Sequence, residues 1–295
     1  MRYDAHETLV AAARGRCGLF HLVGGLALTL TLFMVLSITT SSFHQWFLTA
    51  EEWNDLSREL ATASTPRGVL LNLYYFGLLV IALSATLRIV HDRSLRTLIG
   101  PLPVAMRQFG RAFVALVLLY LVATVIPTGQ TLSLQANLAF GTWLLLLLPA
   151  LLGLLIQTTA EELLFRGYIQ SQLAARFANP AIWILLPAAG FAVLHHDASF
   201  GPTNSWLIVF WAAAFGIAAA DLTARAGTLG PAVALHLVNN FSAILIAAPQ
   251  ESFDGLALYT FPFSLGETDA LLAWAPAEFL LLLCGWLAVR VTLRR

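Results

Sequence analysis

Continuous apolar runs dominate this sequence and limit what the chain can fold into. A helix needs roughly 20 apolar residues to cross a bilayer, and several runs approach that length, among them the leucine-rich stretch that ends near residue 157. Strands of a membrane barrel would alternate apolar and polar residues instead. Only 11% of the 295 residues are charged, whereas a soluble domain carries about 25%. The sequence therefore predicts an all-α, polytopic helical bundle in a membrane.

We predict about eight membrane spans in one membrane domain. They lie near residues 19–41, 69–87, 112–127, 140–165, 180–196, 206–222, 231–248 and 270–290. Four parts follow one another: a cytoplasmic N-terminal segment, N-terminal transmembrane helices, a catalytic helical core, and an outer loop with the last transmembrane helix. Their boundaries are 1–18, 19–139, 140–250 and 251–295.

Arginines separate from acidic residues when the N-terminus is placed inside and the eight spans alternate. Only Arg58 and Arg67 then fall outside. Those inside are Arg2, Arg14, Arg16, Arg88, Arg93, Arg96, Arg107, Arg111, Arg176, Arg225, Arg290, Arg294 and Arg295. We therefore predict that both termini are cytoplasmic and that the N-terminus is retained rather than cleaved as a signal peptide. A compact chain with short termini favours a bacterial inner membrane.

Two further features bear on partners and on the surface. The formal net charge is zero, so the chain lacks the basic footprint of a nucleic-acid-binding protein, and membrane lipid is the expected environment. The outer segment 42–66 fits an amphipathic helix on the membrane surface or a simple connecting loop equally well.

Ionisable residues inside the spans are the functional candidates. Each costs about 2.5–3.5 kcal/mol on insertion scales, so such residues face the bundle interior and mark sites by default. The candidates, with neighbouring polar residues, are Glu161, Glu162, Arg166, His195, His196, Asp221, His236, Asn239, Asn240, His21 and Glu278.

Spacing brings several of them together. Glu162 and Arg166 are four apart and can pair on one helix face, whereas Glu161 points about 100° away. The helix should run to about residue 177, where the Asn-Pro pair at 179–180 breaks it. Glu161 precedes Arg176 by fifteen residues and His195 follows Pro180 by fifteen. Both therefore lie roughly 22 Å from the turn.

The converging side chains fit hydrolysis of an amide bond. A buried carboxylate away from its cation can act as a general base near neutrality, and Asn and His N–H groups can stabilise an oxyanion. The same residue types could bind a divalent metal such as zinc; the ligands would then be Glu161, His195 and His236. No tight zinc-binding spacing is present, so the sequence leaves open whether a metal is bound.

Three short motifs in order resemble the type II CAAX prenyl endopeptidase and bacteriocin-processing (CPBP) family of intramembrane proteases. The family pattern is EExxxR, FxxxH and HxxxN. It corresponds here to Glu161–Arg166, Phe191–His195 and His236–Asn240. The resemblance covers about residues 155–245. His196 is outside the pattern, so the choice of His195 rests on its spacing from Phe191.

The resemblance implies an intramembrane endopeptidase that acts on membrane-associated or lipidated peptides. By resemblance, Glu161 and His195 activate the attacking water, His236 and Asn240 form the oxyanion site, and Glu162 and Arg166 support it. Substrates in the family include prenylated CAAX-type peptides, although many bacterial relatives have no prenylated substrate.

Two other functions remain open at this stage. One is an ion- or proton-coupled transporter that uses the buried charges, and the other is a non-catalytic membrane partner, such as an immunity or scaffold protein. Plainer structural roles are also assigned: Asp221 and Arg225 are read as a surface ion pair, and His196 as a structural or interfacial residue.

Overall fold

The computed structural model describes residues 3–125 and 133–294. Within them the α-helices are α1 Glu7–Val10, α2 Leu19–Phe47, α3 Ala50–Thr62, α4 Pro66–His91, α5 Arg96–Ile99, α6 Leu102–Val125, α7 Phe140–Glu162, α8 Ser171–Arg176, α9 Pro180–Val193, α10 Pro202–Ala226, α11 Gly230–Asn240 and α12 Thr268–Leu293. The end of the predicted span 112–127, and the residues Arg2 and Arg295 of the charge pattern, lie outside the described residues.

The all-α membrane bundle is confirmed. Six helices in the described part of the chain are long and apolar enough to cross a membrane: α2, α4, α6, α10, α12 and the continuous stretch Phe140–Arg176. The predicted spans 180–196 and 231–248 are also helices, but Pro180–Val193 and Gly230–Ile246 are shorter than a usual span. The placement of both termini in the cytoplasm stays a prediction.

Wide turns interrupt two of these helices, which the sequence did not predict. Leu163–Gln170 and Phe241–Ile246 are π-helical, with backbone hydrogen bonds one residue longer than in an α-helix. Such segments are rare and occur frequently at functional sites. The first directly follows Glu162, and the second directly follows Asn240.

Helix ends follow the local sequence signals. Asn179 accepts a hydrogen bond from the Ala181 backbone N–H, and Pro180 occupies the first turn of α9. A capping Asn with proline just inside the helix favours a start at this position. The break predicted between Arg176 and Pro180 is thus confirmed, and α9 returns alongside the end of the preceding helix.

Packing places α10 near the centre of the bundle. Of its most apolar window 61% is buried, against 11% for α2, so α2 is peripheral and presents much of its surface to lipid. Helix α10 packs on α9, and α11 packs on α6, α7 and α10. A Cβ at Gly216 would lie 2.9 Å from the Ala188 Cα, so glycine lets α9 and α10 approach closely.

A small three-stranded sheet and the helix α3 complete the fold. The strands β1 Gln135–Ala136, β2 Ala247–Gln250 and β3 Tyr259–Ser264 form a small sheet of order β1-β3-β2. Gln135 pairs with Thr260 in the antiparallel ladder, and Ala248 pairs with Thr260 in the parallel one. The segment 42–66 is largely helical, since α2 continues to Phe47 and α3 follows it. The start of α3 has a capping box in which Thr49 and Glu52 bond each other's backbone N–H. The position of α3 on the membrane surface stays a prediction.

The N-terminal segment packs onto the bundle. Residues 4–16 form short helical turns, and Leu9 and Ala13 among them are buried. The His6 ring lies 4.9 Å from that of Trp183 on α9. The segment is therefore an integral part of the folded core, although its sequence is far more polar than that of the spans.

Candidate active site

The buried pair predicted from the EExxxR spacing is present. The Arg166 guanidinium donates to Glu162 Oε1 at 3.0 Å, and both side chains are almost wholly buried. Arg166 also lies 4.7 Å from the centre of the Phe191 ring. A cation over an aromatic face is stabilised by about 0.5–2 kcal/mol. The pair therefore links α7 to the aromatic residues of α9.

His236 bridges the two adjacent glutamates. Its Nδ1 lies 2.8 Å from Glu162 Oε1, and its Nε2 lies 3.4 Å from Glu161 Oε2. The first distance is a hydrogen bond, and the second is a charge contact longer than one. Helix α11 thus presents His236 to both carboxyl groups at the end of α7.

His236 can contact both carboxyl groups through its two ring nitrogens. The cluster combines these two carboxyl groups with one guanidinium and one imidazole, and oppositely charged partners offset the several kcal/mol that an uncompensated buried ion costs. His236 therefore places its Nε2 next to Glu161.

The two glutamates differ in their access to water. Glu161 keeps 13% of its side chain exposed, whereas Glu162 is at 0% and is held by both Arg166 and His236. The Oε2 atoms of both glutamates are buried without a hydrogen-bond partner among the described residues. Glu161 is therefore the carboxylate that an incoming water could reach, and Glu162 is the one that orients its neighbours.

His195 lies at the end of α9 with a defined tautomer. Its Nδ1 donates to the Phe191 carbonyl oxygen at 2.9 Å. In the neutral ring, Nε2 then carries the lone pair and can accept a proton or a hydrogen bond. The Phe191 ring lies 4.5 Å from the His195 ring and 6.1 Å from that of His236. The two imidazoles therefore flank one aromatic residue.

Asn240 is held by a residue that sequence reasoning missed. Its Nδ2 donates to Gln157 Oε1 at 2.9 Å. Its Oδ1 faces Asn239 Nδ2 at 3.4 Å, and Tyr120 donates to Asn239 Oδ1 at 3.2 Å. The signal that could have found Gln157 is its position in an apolar span, four residues before Glu161, where an amide needs a partner.

Metal ligation is not built into this arrangement. Among residues 3–125 and 133–294, no group of three His, Cys, Asp or Glu side chains is placed to hold a metal ion. The conditional ligand set of Glu161, His195 and His236 is thus not assembled as a metal site, and the structure provides no support for a metalloprotease.

The interpretation of Asp221 and Arg225 as a surface pair is wrong. Both residues are 5% exposed, and Arg225 Nε donates to Asp221 Oδ2 at 2.8 Å. Asp221 also accepts hydrogen bonds from the Tyr3 hydroxyl at 2.7 Å and from Trp286 Nε1 at 3.0 Å. The pair is buried because the N-terminal segment and α12 cover this end of α10.

His196 and Glu278 are two further candidates from the sequence. His196 is exposed, and its ring lies 5.4 Å from that of Trp206, in keeping with a structural role. Glu278 is half-buried on α12. In the described part of the chain, neither has a hydrogen bond or ion pair to Glu161 or His236.

Apolar helices around an internal polar cluster define the chain as an integral, multi-pass membrane protein. Its residues 142–242 match the family model described as Type II CAAX prenyl endopeptidase Rce1-like. This match spans all three motifs and confirms, for about a third of the chain, the resemblance to this family of membrane proteases. At the level of the family, this match implies CAAX-type protease activity. No curated protein and no solved structure matches the chain.

Proposed function

We propose that this chain is an intramembrane endopeptidase that hydrolyses a peptide bond near the membrane–cytoplasm boundary. The observation that carries the proposal is the pairing of partly exposed Glu161 with His236, whose other nitrogen is fixed by buried Glu162. The family match at residues 142–242 supports the reaction class. It also supports a prenylated CAAX-type or other membrane-associated peptide as substrate.

In this mechanism, Glu161 takes one proton from a water molecule as the water oxygen bonds to the peptide carbonyl carbon. His195 Nε2 holds the same water by accepting its second hydrogen. The electron pair of the carbonyl double bond moves to oxygen, and the resulting oxyanion accepts hydrogen bonds from His236 Nε2–H and an Asn240 N–H. Such donors act strongly in a buried site because water does not screen them.

Collapse of the tetrahedral intermediate completes the reaction. The carbonyl double bond re-forms, the carbon–nitrogen bond breaks, and the proton held by Glu161 passes to the leaving nitrogen. Glu162 and Arg166 do not contact the substrate in this scheme. They hold His236 in the orientation that its donor role requires, and their own charges are balanced within the cluster.

Cellular placement follows from the same proposal. With both termini cytoplasmic, the helix carrying Glu161 ends at Arg176 on the cytoplasmic side. A lipidated peptide could then approach from the inner leaflet. A bacterial inner membrane is the proposed location, and no step of the mechanism depends on it.

The test is peptide cleavage by the purified protein in liposomes. A farnesylated CAAX peptide and its unprenylated twin are incubated with wild type and with Glu161→Gln, each with and without a chelator. Wild type should cleave at least one peptide, and Glu161→Gln should lose about 10²–10⁴-fold in rate, because the general base is removed. Glu51→Gln on α3 is the matched control and should cleave like wild type.

The outcomes separate the functions left open by the sequence. Normal cleavage by a folded Glu161→Gln protein would refute the assigned base. Chelator-sensitive cleavage would show that a metal takes part. Absence of cleavage by wild type, combined with Glu161-independent activity in cells, would favour a non-catalytic partner. Ion or proton flux into liposomes that depends on Glu161 would favour a transporter.

A further inference from the structure

A second polar contact joins the helices that carry the cluster. Gln157 is 7% exposed and lies on α7, four residues before Glu161 and so on the same helix face. Its neighbours Leu154, Leu155 and Ile156 are apolar. A buried amide in such a span is unfavourable unless it is hydrogen-bonded. The Gln157 oxygen has that partner in Asn240 Nδ2, at 2.9 Å.

The contact belongs to the same antiparallel seam as the Glu162–His236 bond. Glu162 on α7 contacts His236 on α11. Gln157, which precedes Glu162 on α7, contacts Asn240, which follows His236 on α11. Helices that pack antiparallel place such residues opposite each other, one turn apart on each helix. Gln157 and Asn240 therefore form the rung next to the glutamate–histidine rung, and the same packing that orients His236 orients Asn240.

A chain of hydrogen bonds holds the Asn240 amide. The Tyr120 hydroxyl donates to Asn239, Asn239 donates to Asn240, and Asn240 donates to Gln157. Turning the Asn240 amide over, with Asn239 and Gln157 unchanged, would place its oxygen against the Gln157 oxygen and its nitrogen against the Asn239 nitrogen. A side-chain amide has two N–H donors, so one N–H of Asn240 remains after the bond to Gln157. Hydrogen bonds in such a chain polarise one another.

We infer that Gln157 is a positioning residue that sets the Asn240 amide so that its second N–H donates to the oxyanion. This inference rests on the proposed peptidase function and extends it to a residue outside the three motifs. Gln157 does not touch the substrate in this role. Its effect on the reaction passes through Asn240, and this dependence can be measured.

The experiment is a double-mutant cycle on peptide cleavage, with kcat and KM determined separately. Gln157→Met removes the acceptor and keeps the side-chain length. It should lower kcat about tenfold with little change in KM, a smaller loss than the roughly 10²–10³-fold expected when the donor itself is removed in Asn240→Ala. Because Gln157 acts through Asn240, the double variant should cleave no more slowly than Asn240→Ala alone.

Two further variants guard against a purely structural effect. Gln170→Met is the matched control: Gln170 lies further along the same continuous helical stretch, is fully buried and donates to the Ala220 carbonyl at 3.0 Å. It should keep the wild-type kcat although it loses a buried hydrogen bond. Gln157→Asn stays polar but is one methylene shorter, so it should reproduce the kcat loss even if Gln157→Met does not fold.

The results separate this inference from the proposed function. An unchanged kcat in the Gln157 variants, or losses that multiply in the double variant, would overturn the role of Gln157 while peptidase activity stands. If folded wild-type protein cleaves neither peptide, the proposed function fails and the inference falls with it. A kcat loss that disappears in the Asn240→Ala background supports both.

Discussion

Removing the positive charge of Arg166 should destabilise the protein far more than removing an exposed arginine. Arg166 is fully buried, bonds Glu162 at 3.0 Å and lies against the Phe191 ring. Arg166→Met keeps much of the side-chain volume but leaves the buried Glu162 side chain without its guanidinium partner. Breaking a buried pair in this way costs about 3–5 kcal/mol, so the free energy of unfolding should fall by that amount.

The measurement is reversible unfolding in one detergent, followed by tryptophan fluorescence and circular dichroism. The matched control is Arg58→Met on α3, where the pair with Asp55 is exposed and worth at most about 1 kcal/mol. The double variant Glu162→Gln/Arg166→Met removes both members of the pair, so the cluster keeps the net charge of wild type. It should therefore be more stable than Arg166→Met alone, with a coupling of about 2 kcal/mol or more.

Two results would refute this reasoning. One is an Arg166→Met protein that unfolds within about 1 kcal/mol of wild type, which would mean that the cluster does not depend on the guanidinium for charge balance. The other is a double variant whose loss equals the sum of the two single losses, because additivity would show that Glu162 and Arg166 do not stabilise each other.

Three further predictions concern other parts of the fold. Burial lowers the pKa of His6 from 6.5 to about 4, so the unfolded chain binds a proton that the folded one does not. Stability should fall by up to about 3 kcal/mol between pH 6.5 and 4, and unfolding at several pH values should show this slope reduced in His6→Phe. Asp221→Leu removes the acceptor of the Tyr3 hydroxyl, so limited proteolysis should cut the N-terminal segment faster, whereas unchanged cleavage would count against this anchor. Gly216→Leu should destabilise by about 1–3 kcal/mol, because a side chain there meets Ala188; an unaltered melting temperature would contradict the close packing.

Strong local signals made the bundle and its main contacts predictable. Apolar runs located the helices, the Asn-Pro pair marked the turn before α9, and four-residue spacing predicted the Glu162–Arg166 bond. Each of these depends on neighbours in the sequence. The contacts of His236 with the two glutamates could not be predicted in detail, because their geometry depends on how α7 and α11 pack.

Features set by long-range packing escaped prediction. The role of Gln157 depends on its hydrogen bond with Asn240, which is distant in sequence. The sequence predicted that Asp221 lies at the surface, but the N-terminal segment and α12 cover it. The small sheet joins two segments that are distant in sequence, and strand pairs this short leave no periodic signal in the sequence.

The π-helical turn after Glu162 has a consequence for how this chain can vary. A wide turn holds one more residue than an α-helical turn over the same path. Deleting one residue from Leu163–Gln170 would let the helix close into regular α-geometry. Everything before the deletion would then rotate by about 100° relative to everything after it, which would carry Glu161 away from His236. Apart from Arg166, this stretch should accept substitutions more readily than any change in its length.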